Sequence, residues 1–142
     1  MPNDKYSIET RIALEDNPLE AGVRALGGQS FYTCPDCHGS LVLIEEGRIK
    51  RYRCHTGHAY SPRALEHAGL DQVEKSIWST VSHLEEIEVL LKEMEQTLRA
   101  AGDATGADVH RRKRDKLKAV TERARSIATD PLFSESAQED IA

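Results

Sequence analysis

Three cysteines and a histidine stand in two clusters: Cys34-Pro35-Asp36-Cys37 and, after sixteen intervening residues, Cys54-His55-Thr56-Gly57-His58. Thiolate and imidazole groups in sets of four hold Zn2+ tetrahedrally, with the members of each pair a few residues apart. A C-x2-C turn brings two sulfurs to one ion, and C-x3-H allows the longer imidazole one more residue of spacing. Cys34, Cys37, Cys54 and His58 are therefore the candidate ligands for one Zn2+ per chain. His55 directly follows Cys54 and would have to double back, and His38 directly follows Cys37 and reads as a loop residue. Pro35 shapes the first turn, while Gly39 and Gly57 let backbone approach the sulfurs. The competing reading is a set of ordinary buried thiols, which does not account for two donor clusters around one β-prone segment. Four protein ligands close the coordination sphere, so the expected role of the metal is structural.

Positioning those donors requires a small scaffold. Leu41-Val42-Leu43-Ile44 and Ile49-Lys50-Arg51-Tyr52-Arg53 are short β-prone runs around Glu46-Gly47, the pattern of a hairpin. Each run is too short to fold alone, so the metal is its expected staple. Upstream, Tyr6 to Leu14 has too few apolar positions to define an element. Asn17-Pro18-Leu19-Glu20 predicts a short helix with a capping box, Leu19, Val23 and Leu26 on one face, and Gly27-Gly28 at its end.

From Ser61 the pattern is helical. Ser61-Pro62 opens a short helix that Gly69 is expected to end, and Asp71-Gln72-Val73-Glu74 opens a second, longer one. In heptads written from Leu70, the a positions are Leu70, Ile77, Leu84, Leu91 and Leu98, and the d positions Val73, Thr80, Ile87 and Met94. Eight of these nine are apolar, which predicts an a/d seam along a helix of roughly 45 Å. Gly102 breaks it, Thr105-Gly106-Ala107-Asp108 is expected to cap a return helix, and Asp130-Pro131 stops that helix. Its apolar stripe is Val109, Leu117, Val120, Ala124 and Ile127. Residues 71–98 carry a net charge of −5 and residues 103–130 one of +3, so the two helices favour an antiparallel pair. The expected fold class is α+β: a small zinc-ribbon β-hairpin followed by a long antiparallel helical hairpin. The expected divisions are an N-terminal segment with a short helix (1–30), the ribbon (31–60), the helical hairpin (61–130) and a frayed tail (131–142).

Composition narrows the functional classes. The chain has 142 residues, 39% hydrophobic and 30% charged, with a net charge of −5 that zinc and three thiolates would change to −6. No apolar stretch approaches a membrane span, and the start lacks the apolar run of a signal peptide, so the expected setting is the cytoplasm. There is no G-x-S-x-G elbow, Gly-rich phosphate loop or H-E-x-x-H helix, so no catalytic residue is assigned. His83 beside Glu85-Glu86 reads as a helix-surface group. Arg111-Arg112-Lys113-Arg114-Asp115-Lys116-Leu117-Lys118 could bind phosphates or an acidic protein; the favoured reading is a solvated face paired with the acidic helix. Arg48, Lys50, Arg51 and Arg53 add a basic strand face, with only Tyr52 interleaved. Trp78, at a b position, is expected either to pack on the ribbon or N-terminal helix or to anchor a partner.

Three stretches carry a family resemblance: Arg11-Ile12-Ala13-Leu14-Glu15-Asp16-Asn17, Phe31 to Gly39, and Arg51 to Ser61. Together they resemble a zinc-ribbon C-terminal region associated with chemotaxis methylesterase-like (CheB-like) proteins, with Ser76-Ile77-Trp78 similar to its long-helix signature. The resemblance spans roughly residues 8–98. It implies Cys34, Cys37, Cys54 and His58 as ligands, and nothing in the chain matches the esterase domain. The implied function is a non-catalytic zinc-binding interaction or regulatory module. Its expected partner is a protein, such as a response regulator or a methylesterase-like protein, with Trp78 and Arg111, Arg112, Lys113 and Arg114 as the candidate surface. The helical seam also offers a route to a homo-oligomer. Nucleic acid is disfavoured as a partner, and no membrane contact is expected. The alternatives are a small nucleic-acid-binding regulator using the basic helix and a split accessory subunit of a methylesterase.

Overall fold

The computed structural model describes residues 5–14, 19 and 22–135. The architecture is α+β, a four-stranded antiparallel sheet followed by long helices. The chain divides into two compact units, Met1–Gly69 and Leu70–Ala142.

In the first unit, helix α1 (Lys5–Leu14) and a 3-10 turn (Val23–Ala25) precede strands β1 (Gly28–Thr33), β2 (Ser40–Glu46), β3 (Ile49–Cys54) and β4 (Ala59–Tyr60). The strands are neighbours in chain order. The expected hairpin is β2–β3, in register from Glu46↔Ile49 to Leu41↔Cys54. Because side chains alternate across a strand, β2 serves two small cores. Ile44 and Val42 pack with Ile8, Ile12, Val23 and Leu26. On the opposite face Leu41 packs with Cys34, Cys54 and Tyr60, joined by Tyr52, Leu65 and Ala68. Arg51, across from Ile44, points to the α1 side and pairs with Glu9 and Glu46, both at 2.9 Å.

Three elements of this unit depart from expectation. Helix α1 forms on only Ile8 and Ile12, one turn apart, because docking on the sheet supplies what its sequence lacks. Strands β1 and β4 were not foreseen. β1 is exposed along most of its length and shows no alternation, and β4 has only two residues. The Asn17-Pro18-Glu20 capping signal lies outside the described residues; of the face it predicts, Val23 and Leu26 are buried but Leu19 is exposed, and Gly22, at φ 95°, precedes a 3-10 turn rather than the end of an α-helix.

Helix α2 runs unbroken over Pro62–Ala100, 39 residues and about 58 Å, through both Gly69 and the Asp71 box. Ser61 starts it, its Oγ accepting from the Ala64 amide at 3.1 Å. Gly69 stays in the helical conformation, since a glycine inside a helix costs only about 1 kcal/mol and need not end it. Gly102, at φ 81°, does break the chain, and α3 follows over Ala104–Ala128. Its cap is Asp103, accepting from the Gly106 amide at 2.9 Å, rather than Thr105. Residues 131–135, expected to be frayed, form a short helix α4 (Pro131–Glu135); residues 136–142 lie outside the described part.

The helical hairpin closes on a different stripe of α2 from the expected a/d seam. Its less exposed positions are a and e: Ile77, Val81, Leu84, Glu88, Leu91, Glu95 and Leu98. Val73, Ile87 and Met94 at d are exposed. Charge complementarity explains the rotation. Glu88 accepts from Thr121, and Glu95 pairs with Arg114 at 2.8 Å, so both e-position carboxylates have partners on α3. The inward stripe of α3 is mostly small or polar, with Leu117 its one large apolar residue and Ala107, Ala124 and Ala128 among the rest. Val109, Val120 and Ile127 remain exposed.

Candidate metal centre

Cys34 and Cys37 occupy the turn between β1 and β2, while Cys54 ends β3 and His58 lies in the turn between β3 and β4. Pairing of β2 with β3 brings both turns to one end of the sheet, with Leu41 directly opposite Cys54. Each turn is closed by two backbone hydrogen bonds. The Cys34 amide donates to the Gly39 carbonyl (2.7 Å) and the His38 amide to the Cys34 carbonyl (2.9 Å). In the second turn the Cys54 amide donates to the His58 carbonyl (3.0 Å) and the Gly57 amide to the Cys54 carbonyl (3.1 Å).

All four expected ligands converge, their donor atoms lying within 4.8 Å of one another. The Cys37–Cys54 sulfur separation is 3.6 Å, and His58 Nδ1 lies 3.6 Å from Cys34 Sγ and 3.4 Å from Cys54 Sγ. Bond lengths of about 2.3 Å to sulfur and 2.0–2.1 Å to nitrogen give tetrahedral edges of about 3.8 Å (S–S) and 3.6 Å (S–N). The measured edges fall within about 0.2 Å of these, so the cluster is the right size to hold a metal ion. Cys34 and Cys54 are buried and His58 is exposed.

The surroundings favour deprotonated donors at two of the three sulfurs. The Thr56 hydroxyl donates to Cys37 Sγ (3.2 Å) and sits 2.9 Å from Cys54 Sγ and 3.1 Å from His58 Nδ1. That contact, with a backbone hydrogen bond at Gly39, brings the Cys37 thiol down to about 6. Burial acts to raise Cys54, but hydrogen bonds from the Thr56 side chain and backbone outweigh it and lower the thiol. Burial prevails at Cys34, which is raised. Hydrogen bonds to Cys37 and Cys54 raise His58. Tyr60 donates to Asp36 and lies 3.3 Å from Cys34 Sγ. Thr56, Tyr60 and Asp36 carried no sequence signal of their own, since a hydroxyl or carboxylate beside a cysteine is uninformative until the turns fold.

His55 is outside the ligand set, as its adjacency to Cys54 implied. Its ring lies over Gly39, where an added Cβ would fall 2.1 Å from the imidazole. Gly39 thus makes room for a histidine ring rather than for a sulfur. The four basic residues of the hairpin do not form one face: Arg51 and Arg53 alternate with Lys50, which pairs with Glu45 at 3.5 Å, and Arg48 sits in the turn.

In the second unit, the candidate partner surface separates. Trp78 is 38% exposed. Arg114 turns inward to Glu95, and Arg111 pairs with Asp108 and Asp115 of its own helix. Arg112 and Lys113 are exposed without an ion pair among the described residues, as are Lys116 and Lys118, so the basic run as a whole does not bind the acidic helix. The Glu95–Arg114 pairing sets the register of the two helices, and puts Trp78 and Arg112 about 28 Å apart along the hairpin. They do not make one patch.

No protein-family model matches the chain, nor does any curated protein or solved structure. Among the described residues no helix is long and apolar enough to cross a membrane.

Proposed function

We propose that the chain is a zinc-binding, non-catalytic interaction module in which one structural Zn2+ staples the sheet. The observation that carries this reading is the ligand geometry: three sulfurs and one imidazole with all donor atoms within 4.8 Å of one another, three of the separations matching the edges of a zinc tetrahedron. With four protein donors, no coordination position is left for a substrate. The resemblance to the zinc-ribbon region of chemotaxis methylesterase-like proteins supports a cytoplasmic signalling role, with a response regulator or methylesterase-like protein as partner. The net charge of −5 and the scatter of basic groups over several faces support a protein partner over a nucleic acid.

Elemental analysis of protein purified without chelator tests the metal, with about one zinc per chain expected. Cys54→Ser should abolish stoichiometric zinc and unfold the sheet while the helical signal of residues 70–128 persists. Absence of stoichiometric metal in the unsubstituted protein refutes the reading. Capture of a response regulator or methylesterase-like protein, compared between the unsubstituted chain and Trp78→Ala, tests the partner.

A further inference from the structure

We infer that the helical hairpin associates with a second copy of itself into a four-helix bundle, each α2 lying against the partner's α3. The argument rests on the second unit alone and stands or falls independently of the zinc reading.

The ion pairs Glu85–Arg125 and Arg99–Asp108 mark one flank of the hairpin. At 100° per residue, the d and g positions of α2 lie on the other side of its contact stripe. On α3 the same rotation, taken in the antiparallel sense, carries Val109, Val120 and Ile127 to that same opposite flank. Between Val73 and Thr97 the d and g positions of α2 hold no carboxylate, lysine or arginine. Ile87, Leu90 and Met94 there are 44%, 53% and 41% exposed, and Val109, Val120 and Ile127 add 48%, 39% and 56%. The flank with the ion pairs is charged; this one is apolar at its centre.

Charge identifies the occupant. The apolar strip is bordered on α2 by Glu86 and Glu93 and on α3 by Lys113, Lys116 and Arg123, all exposed and without an ion pair among the described residues. A two-fold axis parallel to the helices sets each α2 antiparallel to the partner's α3 and brings those carboxylates to those cations. A perpendicular axis would stack α2 on α2 and set like charges together, which disfavours it. α2 and α3 lie side by side over about 20 residues, about 30 Å, and two helices are about 20 Å wide, so each copy would contribute about 600 Å2. That is at the lower end of the roughly 600–1,000 Å2 per partner of a stable interface. A second copy also covers a helix pair whose inner stripe on α3 has Leu117 as its only large apolar residue.

Sedimentation equilibrium of the full chain up to about 100 µM should return twice the 15.8 kDa of one chain. Ile87→Lys with Leu90→Glu should return the single-chain mass with helicity retained. Because these are exposed residues, the monomer is expected to remain folded. The charge variants test the arrangement. Lys113→Glu with Lys116→Glu, and separately Glu86→Lys with Glu93→Lys, should each weaken self-association by about tenfold or more, and mixing the two should restore the dimer. A single-chain mass for the unsubstituted protein at the highest concentration overturns the proposal. So does a dimer unaffected by the apolar substitutions, or a charge-reversed mixture that fails to reassociate.

Discussion

Replacing Gly69 with alanine separates two accounts of the chain around residue 70 by the sign of a stability change. Gly69 sits inside the 39-residue helix α2, and a Cβ added there meets nothing within 4 Å. Alanine in a helix interior is favoured over glycine by about 0.8–1.0 kcal/mol, so Gly69→Ala should stabilise by about that amount. Had the helix ended at Gly69 in a left-handed C-cap, alanine there would cost about 1–2 kcal/mol instead. Gly102→Ala supplies the contrast, because Gly102 has φ 81° in the α2–α3 turn and its replacement should destabilise by about 1–2 kcal/mol. Urea denaturation of the zinc-loaded chain, followed by helical ellipticity, resolves both. At about 2 kcal/mol per molar urea, the midpoint should rise by about 0.4–0.5 M for Gly69→Ala and fall for Gly102→Ala. On heating, the gain corresponds to about 3 °C for a chain of this length. A fall in the midpoint for Gly69→Ala would refute the continuous helix.

Two further outcomes are expected. Arg114→Ala removes the closer of the two arginines on Glu95, at 2.8 Å, and leaves Arg99 at 3.2 Å; with the Glu95 side chain only 13% exposed, the hairpin should lose about 1–2 kcal/mol in urea. Arg112→Ala, on the outer face of α3 and with no ion pair among the described residues, should change stability by less than about 0.5 kcal/mol. Acidification should release the metal: protons compete with the ion at Cys34, whose thiol burial raises, over the whole neutral range, and at Cys37 only below about 6, so the loss of metal steepens below that pH. Thr56→Val removes the hydroxyl that lowers Cys37, so the release midpoint, read by a chromogenic zinc indicator, should move to higher pH.

The ligand set was legible in the sequence because it depends on local spacing: two short turns fix which donors lie together, and the hairpin between them brings the pairs into reach. Leu41↔Cys54 pairing completed what C-x2-C and C-x3-H implied. The Gly102 break was likewise local, the one glycine of the helical region with positive φ. Other features depended on partners distant in sequence. Ile8 and Ile12 form a helix face only because Ile44, Val23 and Leu26 are there to cover it. β1 is a strand because β2 offers it an edge, not because its residues alternate. Apolar periodicity marked a and d of α2 as one seam, but it could not show that only its a positions would meet α3. Glu88 and Glu95 decided that, since half-buried carboxylates need Thr121 and Arg114 opposite them, and the rotation satisfying them turned the d positions outward. Local spacing thus determines the donors, whereas the register between helices follows from pairing groups 19 and 33 residues apart, a balance that only the folded chain strikes.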